Sequence, residues 1–284
     1  MSTLIIQETV GDAWTSLLKS ITNHGSFVYP RGLLCRELLG VSLTVTDAHN
    51  NILFHPKRKL AYKFMVAEWL WIWFGMEDVK TISQYNPHIS KFSDDGIKFA
   101  GAYGPRISKQ VGYIEDTLKK DRDSRQAVMT IYTPNPKPSK DIPCTLSVQF
   151  LIRDDRLHTI VTMRSSDAWL GIPYDLFNFS MIGNIFASLL SVHVGSITFN
   201  LGSSHVYENN FIAIDEVLNS KATTYRSPYL DGFPPYYMFD VLLKRNMRAS
   251  VLKPEAFQEP WTSYAKALTA ETNSDALSII RRTI

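Results

Sequence analysis

Apolar and polar residues alternate with a helical period near residues 8–22, predicting an amphipathic helix close to the start of the chain. Leu38–Thr46 carries the two-residue alternation of a strand. Lys59–Gly75 is apolar almost all round, as is Tyr174–Val192, so both read as helices buried on every side. Gln110–Lys120 reads as a surface helix. Ala127–Tyr132, Cys144–Arg153 and His158–Met163 read as strands, with Asp154-Asp155 turning the chain between the last two. Gly195–Leu201 predicts a further strand, His205–Leu218 a helix and Asp275–Arg282 a short amphipathic helix. Thr133–Pro143 (TPNPKPSKDIP) and Gly232–Tyr237 (GFPPYY) read as irregular segments. Helices and strands thus interleave without a repeat or a low-complexity linker. The expectation is one α/β (α+β) domain over residues 1–284, a mixed sheet flanked by helices.

The 284 residues are 45% hydrophobic, enough for a large core, with a formal net charge of +3 that no tail concentrates. That balance argues against duplex nucleic acid and allows local arginine clusters for a small anion. Two cysteines, Cys35 and Cys144, do not make a disulfide framework, so a reducing cytoplasm is expected. Met1–Thr9 lacks a signal-peptide pattern. Phe64–Met76 is too short to span a membrane and contains Glu68.

The chemistry gathers around Cys144. A lone cysteine opening a strand is usually a small buried hydrophobe. Here it is preceded by Asp123-Ser124-Arg125 and followed by Arg164-Ser165-Ser166-Asp167, Leu170-Gly171-Ile172-Pro173-Tyr174-Asp175 and Ser204-His205-Val206-Tyr207. EWLWIWFG at Glu68–Gly75 and the pair Tyr103-Gly104 fall in the same order. Over roughly residues 25–215 this arrangement resembles the thymidylate synthase family.

The resemblance implies 5,10-methylenetetrahydrofolate as one-carbon donor, a pyrimidine nucleoside monophosphate (dCMP or CMP) as acceptor, no metal, and a homodimer with sheets packed back to back. Cys144 matches the nucleophile that adds to C6 of the base. Arg164 and Ser165 match phosphate ligands, and Arg31 stands where a further phosphate arginine is expected. Arg125 matches an arginine donated across the dimer interface. His205 and Tyr207 match holders of the sugar hydroxyl. Glu68 matches an acid that organises proton transfers, and Tyr103 a relay for the C5 proton. Asp167 and Gly171 match positions beside the folate and the pyrimidine. The chemistry needs such a set. C5 is a poor nucleophile until a thiolate on C6 makes it an enamine carbon. Arginines that grip a phosphate would also be expected to favour that thiolate.

Asp175 stands where thymidylate synthases have asparagine. An ionised carboxylate accepts from cytosine N4 and from a protonated N3, but opposes O4 of uracil. The family contains this change, in deoxycytidylate hydroxymethylases of certain phages. Asp175 as a mere helix N-cap is the bland alternative.

Three departures stand beside it. Gln126 replaces a second arginine, with Arg122 and Lys120 nearby. Thr145 replaces the histidine that commonly follows the nucleophile. The C-terminus, ending LTAETNSDALSIIRRTI, does not match the segment that closes over the folate, and Phe92 only loosely matches an aromatic shield. An altered lid admits water, which turns the exocyclic methylene into hydroxymethyl rather than methyl. The expectation is therefore a dCMP hydroxymethyltransferase in a cytoplasm, a phage host's included. It is expected neither on a membrane nor on DNA. A CMP hydroxymethylase, a dCMP methylase and a non-catalytic nucleotide-binding homologue are the alternatives.

Overall fold

The computed structural model describes residues 3–243 and 258–281. Its strands are β1 (Thr3–Gln7), β2 (Ser26–Val28), β3 (Cys35–Val45), β4 (Ile52–Phe54), β5 (Val128–Thr130), β6 (Thr145–Arg153), β7 (Arg156–Met163), β8 (Ser166–Asp167), β9 (His193–Tyr207) and β10 (Thr223–Tyr225). Its helices are α1 (Val10–His24), α2 (Tyr62–Trp73), α3 (Val79–Ser83), α4 (Gly104–Ser108), α5 (Val111–Lys120), α6 (Ile172–Leu189), α7 (Phe211–Leu218), α8 (Tyr237–Leu242), α9 (Trp261–Thr269) and α10 (Asn273–Ile280).

The main sheet runs β1-β3-β9-β7-β6-β5, with β2 added to β3 and β8 to β9. The β1/β3, β7/β9 and β8/β9 pairs are parallel and the others antiparallel, so the sheet is mixed, as expected. Asp154 and Asp155, with φ of 50° and 56°, make the two-residue turn from β6 to β7. That left-handed pair matches strand twist, and Asp tolerates it better than most residues.

Helices α1 and α6 pack against one face of the sheet. Helix α6 buries Leu176, Phe177, Phe179, Met181, Ile182, Ile185 and Phe186, and α2 buries Phe64, Met65, Val66, Trp69 and Leu70. The all-round apolar patterns are thus accounted for by two central helices. Among the described residues, no helix packs on the opposite face. Ser42 bonds Asn200 there, and Thr44 bonds Thr198.

One expectation is corrected. Residues 205–207 are not helical: β9 continues through His205 and Tyr207, which pair with Glu37 and Cys35 of β3. Ladder hydrogen bonds to a long neighbouring strand outweigh any helical preference of three residues. A 3₁₀ turn over Glu208–Asn210 follows, and the α-helix begins at Phe211. At the other end, α9 and α10 pack on α2, with Trp69 against Trp261 and Tyr264 and a Thr272–Asp275 capping box starting α10. Arg282, the last residue of the expected final helix, lies outside the described residues. No described helix is long and apolar enough to cross a membrane.

Candidate active site

The N-terminal end of α6, the start of β6 and the ends of β7 and β9 converge. Cys144 lies just before β6, partly buried, and its carbonyl accepts from the backbone N–H of Arg164 at 2.9 Å. Arg164 follows β7. Its Nε donates to the carbonyl of Pro143 at 2.9 Å and its Nη2 to that of Ile142 at 2.8 Å. These two bonds hold Nη2 3.9 Å from Cys144 Sγ. The Pro-rich loop thus ends on carbonyls that aim the guanidinium. Ser165 is half-buried in the turn that follows.

Burial pushes the Cys144 thiol up; Arg164 and Arg31 pull it down, and Asp175 and Asp141 add to the rise. The arginines pull toward the thiolate as expected, but burial outweighs them and the net shift is upward.

Tyr103, just before α4, is held behind the nucleophile. Its hydroxyl oxygen accepts from the Thr145 backbone N–H at 3.3 Å. Burial first, then Asp175 and Cys144, keep this phenol protonated. Glu68 faces the same cleft from α2 and accepts from Asn178 Nδ2 at 2.8 Å. Burial raises the Glu68 carboxyl to about 7, against the opposing pull of Asn178. Asp175, in the first turn of α6, is pushed up to about 8 by burial, then by Glu68 and Asp167. Asp175 is not the N-cap; Gly171 holds that place. A Cβ on Gly171 would sit 3.2 Å from both Asp175 Oδ2 and the Asp167 carbonyl, so glycine lets the carboxyl come close.

Asp167 lies in β8 opposite His205, and its Oδ1 accepts from the N–H groups of Trp169 and Leu170 at 2.8 Å each. Burial raises it, while these bonds, His205 and Arg58 oppose the rise. Burial lowers His205, with Asp167 and Glu37 opposing. Tyr207 meets the His205 ring edge-on, and Arg31 Nη2 reaches the Tyr207 hydroxyl at 3.5 Å. Arg31 itself has φ 54° and ψ 29°, a left-handed conformation costly for a non-glycine residue and commonest at ligand clamps.

Nearly all the residues singled out in sequence are therefore brought together. Arg125 is the exception. It is exposed, before β5, and is not among the charges acting on Cys144. Its carbonyl is tied to Gln149 of β6. Sequence reading missed Asn178. It lies one turn beyond Asp175, and an asparagine amid FNFSM was the available signal.

Two buried acids with raised proton affinity make stability fall with pH. Between the unfolded carboxyl range and about 8, the folded state holds more protons than the unfolded one, so unfolding free energy declines as pH rises. The melting temperature of the ligand-free protein should drop from pH 5 to pH 8.5, and Glu68→Gln with Asp175→Asn should flatten that slope. A wild-type slope of opposite sign would refute the burial of these acids.

The family model for thymidylate synthase matches residues 12–232. A deoxyuridylate hydroxymethyltransferase of Bacillus phage SP01 is 30% identical over 270 residues, covering 86% of this chain and 69% of that protein. A protein of the same name from Delftia phage PhiW-14 is 29% identical, covering 69% of this chain and 59% of its own length. A thymidylate synthase of Bacillus mojavensis is 28% identical over 53% of this chain and 59% of its own. The chain thus spans less than two thirds of the length of the last two.

Proposed function

The chain belongs to the thymidylate synthase family, and from that premise we propose that it transfers the one-carbon unit of 5,10-methylenetetrahydrofolate to C5 of deoxycytidylate and releases the 5-hydroxymethyl nucleotide. The observation that carries this reading is the carboxyl of Asp175, facing Cys144, Tyr103 and Glu68 where the family reads the base with an amide.

Held neutral by burial, that carboxyl offers an O–H to cytosine N3 and a carbonyl oxygen to N4. Passing the proton to N3 makes the ring an acceptor for sulfur at C6. Uracil N3 already carries its proton and cannot take another, so this transfer discriminates and activates at once. It replaces the simpler picture of a permanently ionised Asp175. The SP01 and PhiW-14 proteins are named for the uracil nucleotide; at this chain's Asp175 the base chemistry favours cytosine.

The remaining roles follow the geometry. Arg164, Arg31 and Ser165 bind phosphate, and its arrival sets a second anion beside the guanidinium that already faces Cys144. His205 and Tyr207 hold the sugar hydroxyl. Asp167, with exposed Leu170 and Gly171 beside it, offers a carboxylate and an apolar edge to the flat folate ring. Tyr103 and Glu68 carry protons at C5. In the last step water adds to the exocyclic methylene. The C5=CH2 electron pair becomes C5=C6, Cys144 leaves as thiolate, and the water proton passes to Glu68. Water access is supported by the departure of LTAETNSDALSIIRRTI from the family's closing segment; the helices it contributes to, α9 and α10, pack on α2.

Arg125 reaches a phosphate only from a second copy. The helix-free sheet face, with Leu4 and Ile6 68% and 56% exposed on β1, is the surface we assign to that homodimer.

Mass spectrometry tests the reading. Incubation with methylenetetrahydrofolate and, separately, dCMP, CMP and dUMP should give a hydroxymethyl mass on dCMP above all, from a species sedimenting as a dimer. Product from dUMP alone would overturn the base assignment. A methyl mass would overturn the water step.

A further inference from the structure

We propose that Asn178 is a positioning residue for Glu68: its amide N–H aims the carboxylate and keeps it able to accept the proton of the water that adds to the exocyclic methylene. The inference rests on the reading above, in which Glu68 takes that proton.

The first support is the hydrogen bond itself. Asn178 Nδ2 donates to Glu68 Oε2 at 2.8 Å, and this is the one polar side-chain contact of Glu68 among the described residues. One carboxylate oxygen is committed and oriented, and Oε1 is left for the cleft. The bond also links the two central helices at the level of the chemistry. Asn178 is one turn beyond Asp175 on α6, and Glu68 is on α2.

The second support is what Asn178 lacks. It is 3% exposed, and its Oδ1 has no hydrogen-bond partner among the described residues. An unpaired buried acceptor costs free energy, and an apolar residue of similar size would avoid that cost. Its neighbours Leu176, Phe177, Phe179, Met181 and Ile182 show that apolar side chains fill this helix. Packing therefore does not account for an asparagine here. Its donor to Glu68 does.

The third support is electrostatic. The titratable groups that share an interaction with Glu68 are Asp175 and Tyr174, both on α6. Neither is a cation. Burial favours the protonated form, and the Asn178 N–H is the group that stabilises the charged one. Without it Glu68 ionises only at higher pH, and less of it is available as a base near neutrality.

The test is the pH dependence of kcat for hydroxymethyl-dCMP formation. In the wild type the acid limb follows Glu68. Asn178→Ala should move that limb up by about one pH unit, with turnover at high pH partly retained, and Asn178→Ser, which restores a donor, should move it part of the way back. A residue that merely filled space would lower kcat at every pH without moving the limb, and that result would overturn the proposal. If Asn178→Ala fails to fold, the wild type still decides. The Asn178 side-chain amide protons, followed by ¹⁵N-edited NMR, should titrate with Glu68, and Glu68→Gln should abolish the titration. An Asn178 amide insensitive to pH would refute the inference. Failure of the wild type to make any hydroxymethyl product would instead refute the functional reading, while the NMR titration would still report on the Asn178–Glu68 pair.

Discussion

Cys144→Ser is expected to lower product formation by at least about 10⁴-fold, the scale seen when a covalent nucleophile is removed, and to leave the dissociation constant for dCMP within a few-fold. The reason lies in the separation of duties around the thiol. Phosphate is held by Arg164, Arg31 and Ser165, and Arg164 is fixed by the carbonyls of Ile142 and Pro143, not by sulfur. Binding therefore survives, while the step that makes C5 nucleophilic is lost. Calorimetric titration with dCMP and single-turnover product analysis measure the two quantities on one preparation. Retention of more than about a hundredth of wild-type turnover would remove Cys144 as the nucleophile, because a serine hydroxyl is a far weaker nucleophile than a thiolate.

The raised thiol bears on the same experiment. Burial favours the protonated Cys144 thiol, with Arg164 and Arg31 pulling the other way. A sequence displays which groups surround the thiol but not how deeply it is buried, so that balance was not legible. What the sequence did display was the identity of the groups. Cys144, Arg164, Asp167, Asp175 and His205 sit in separated segments, yet their residue types and order announce one cluster, and β7, β8 and the end of β9 deliver it. The two apolar helices were legible because a helix buried on all sides has no polar face to misread. His205–Tyr207 was misassigned because three residues carry too little periodicity to separate the end of a strand from the start of a helix. Helix α9 went unseen: Trp261 and Tyr264 take their meaning from Trp69, almost two hundred residues earlier in the chain. Asn178 stood out only as an asparagine in an apolar run, and its role stayed hidden because its partner Glu68 lies 110 positions away.

Asp175→Asn separates recognition from activation. The change is isosteric, and Gly171 leaves room for either side chain beside it. An amide can donate to O4 and accept from N3–H, which suits uracil, and turned over it can pair with cytosine as well. Pairing alone therefore predicts a modest change in binding. Activation predicts a large one. An amide has no proton to give N3, and general-acid assistance of this kind is worth about 10²–10⁴-fold. The expectation is that kcat/KM for dCMP falls by about that factor, while the Kd for dCMP moves far less and turnover of dUMP rises. The pH dependence should change in parallel. Asp175, held up to about 8 by burial, Glu68 and Asp167, is protonated through neutrality, so the wild type loses dCMP turnover on the alkaline side as this proton is lost. Asp175→Asn should lack that alkaline limb for dUMP. Competition between dCMP and dUMP, followed by product mass across pH 6–9, reads all of this at once. A variant whose preference and alkaline limb both match the wild type would show that base selection lies elsewhere, and Asp175 would then be only a buried acid at the start of a helix.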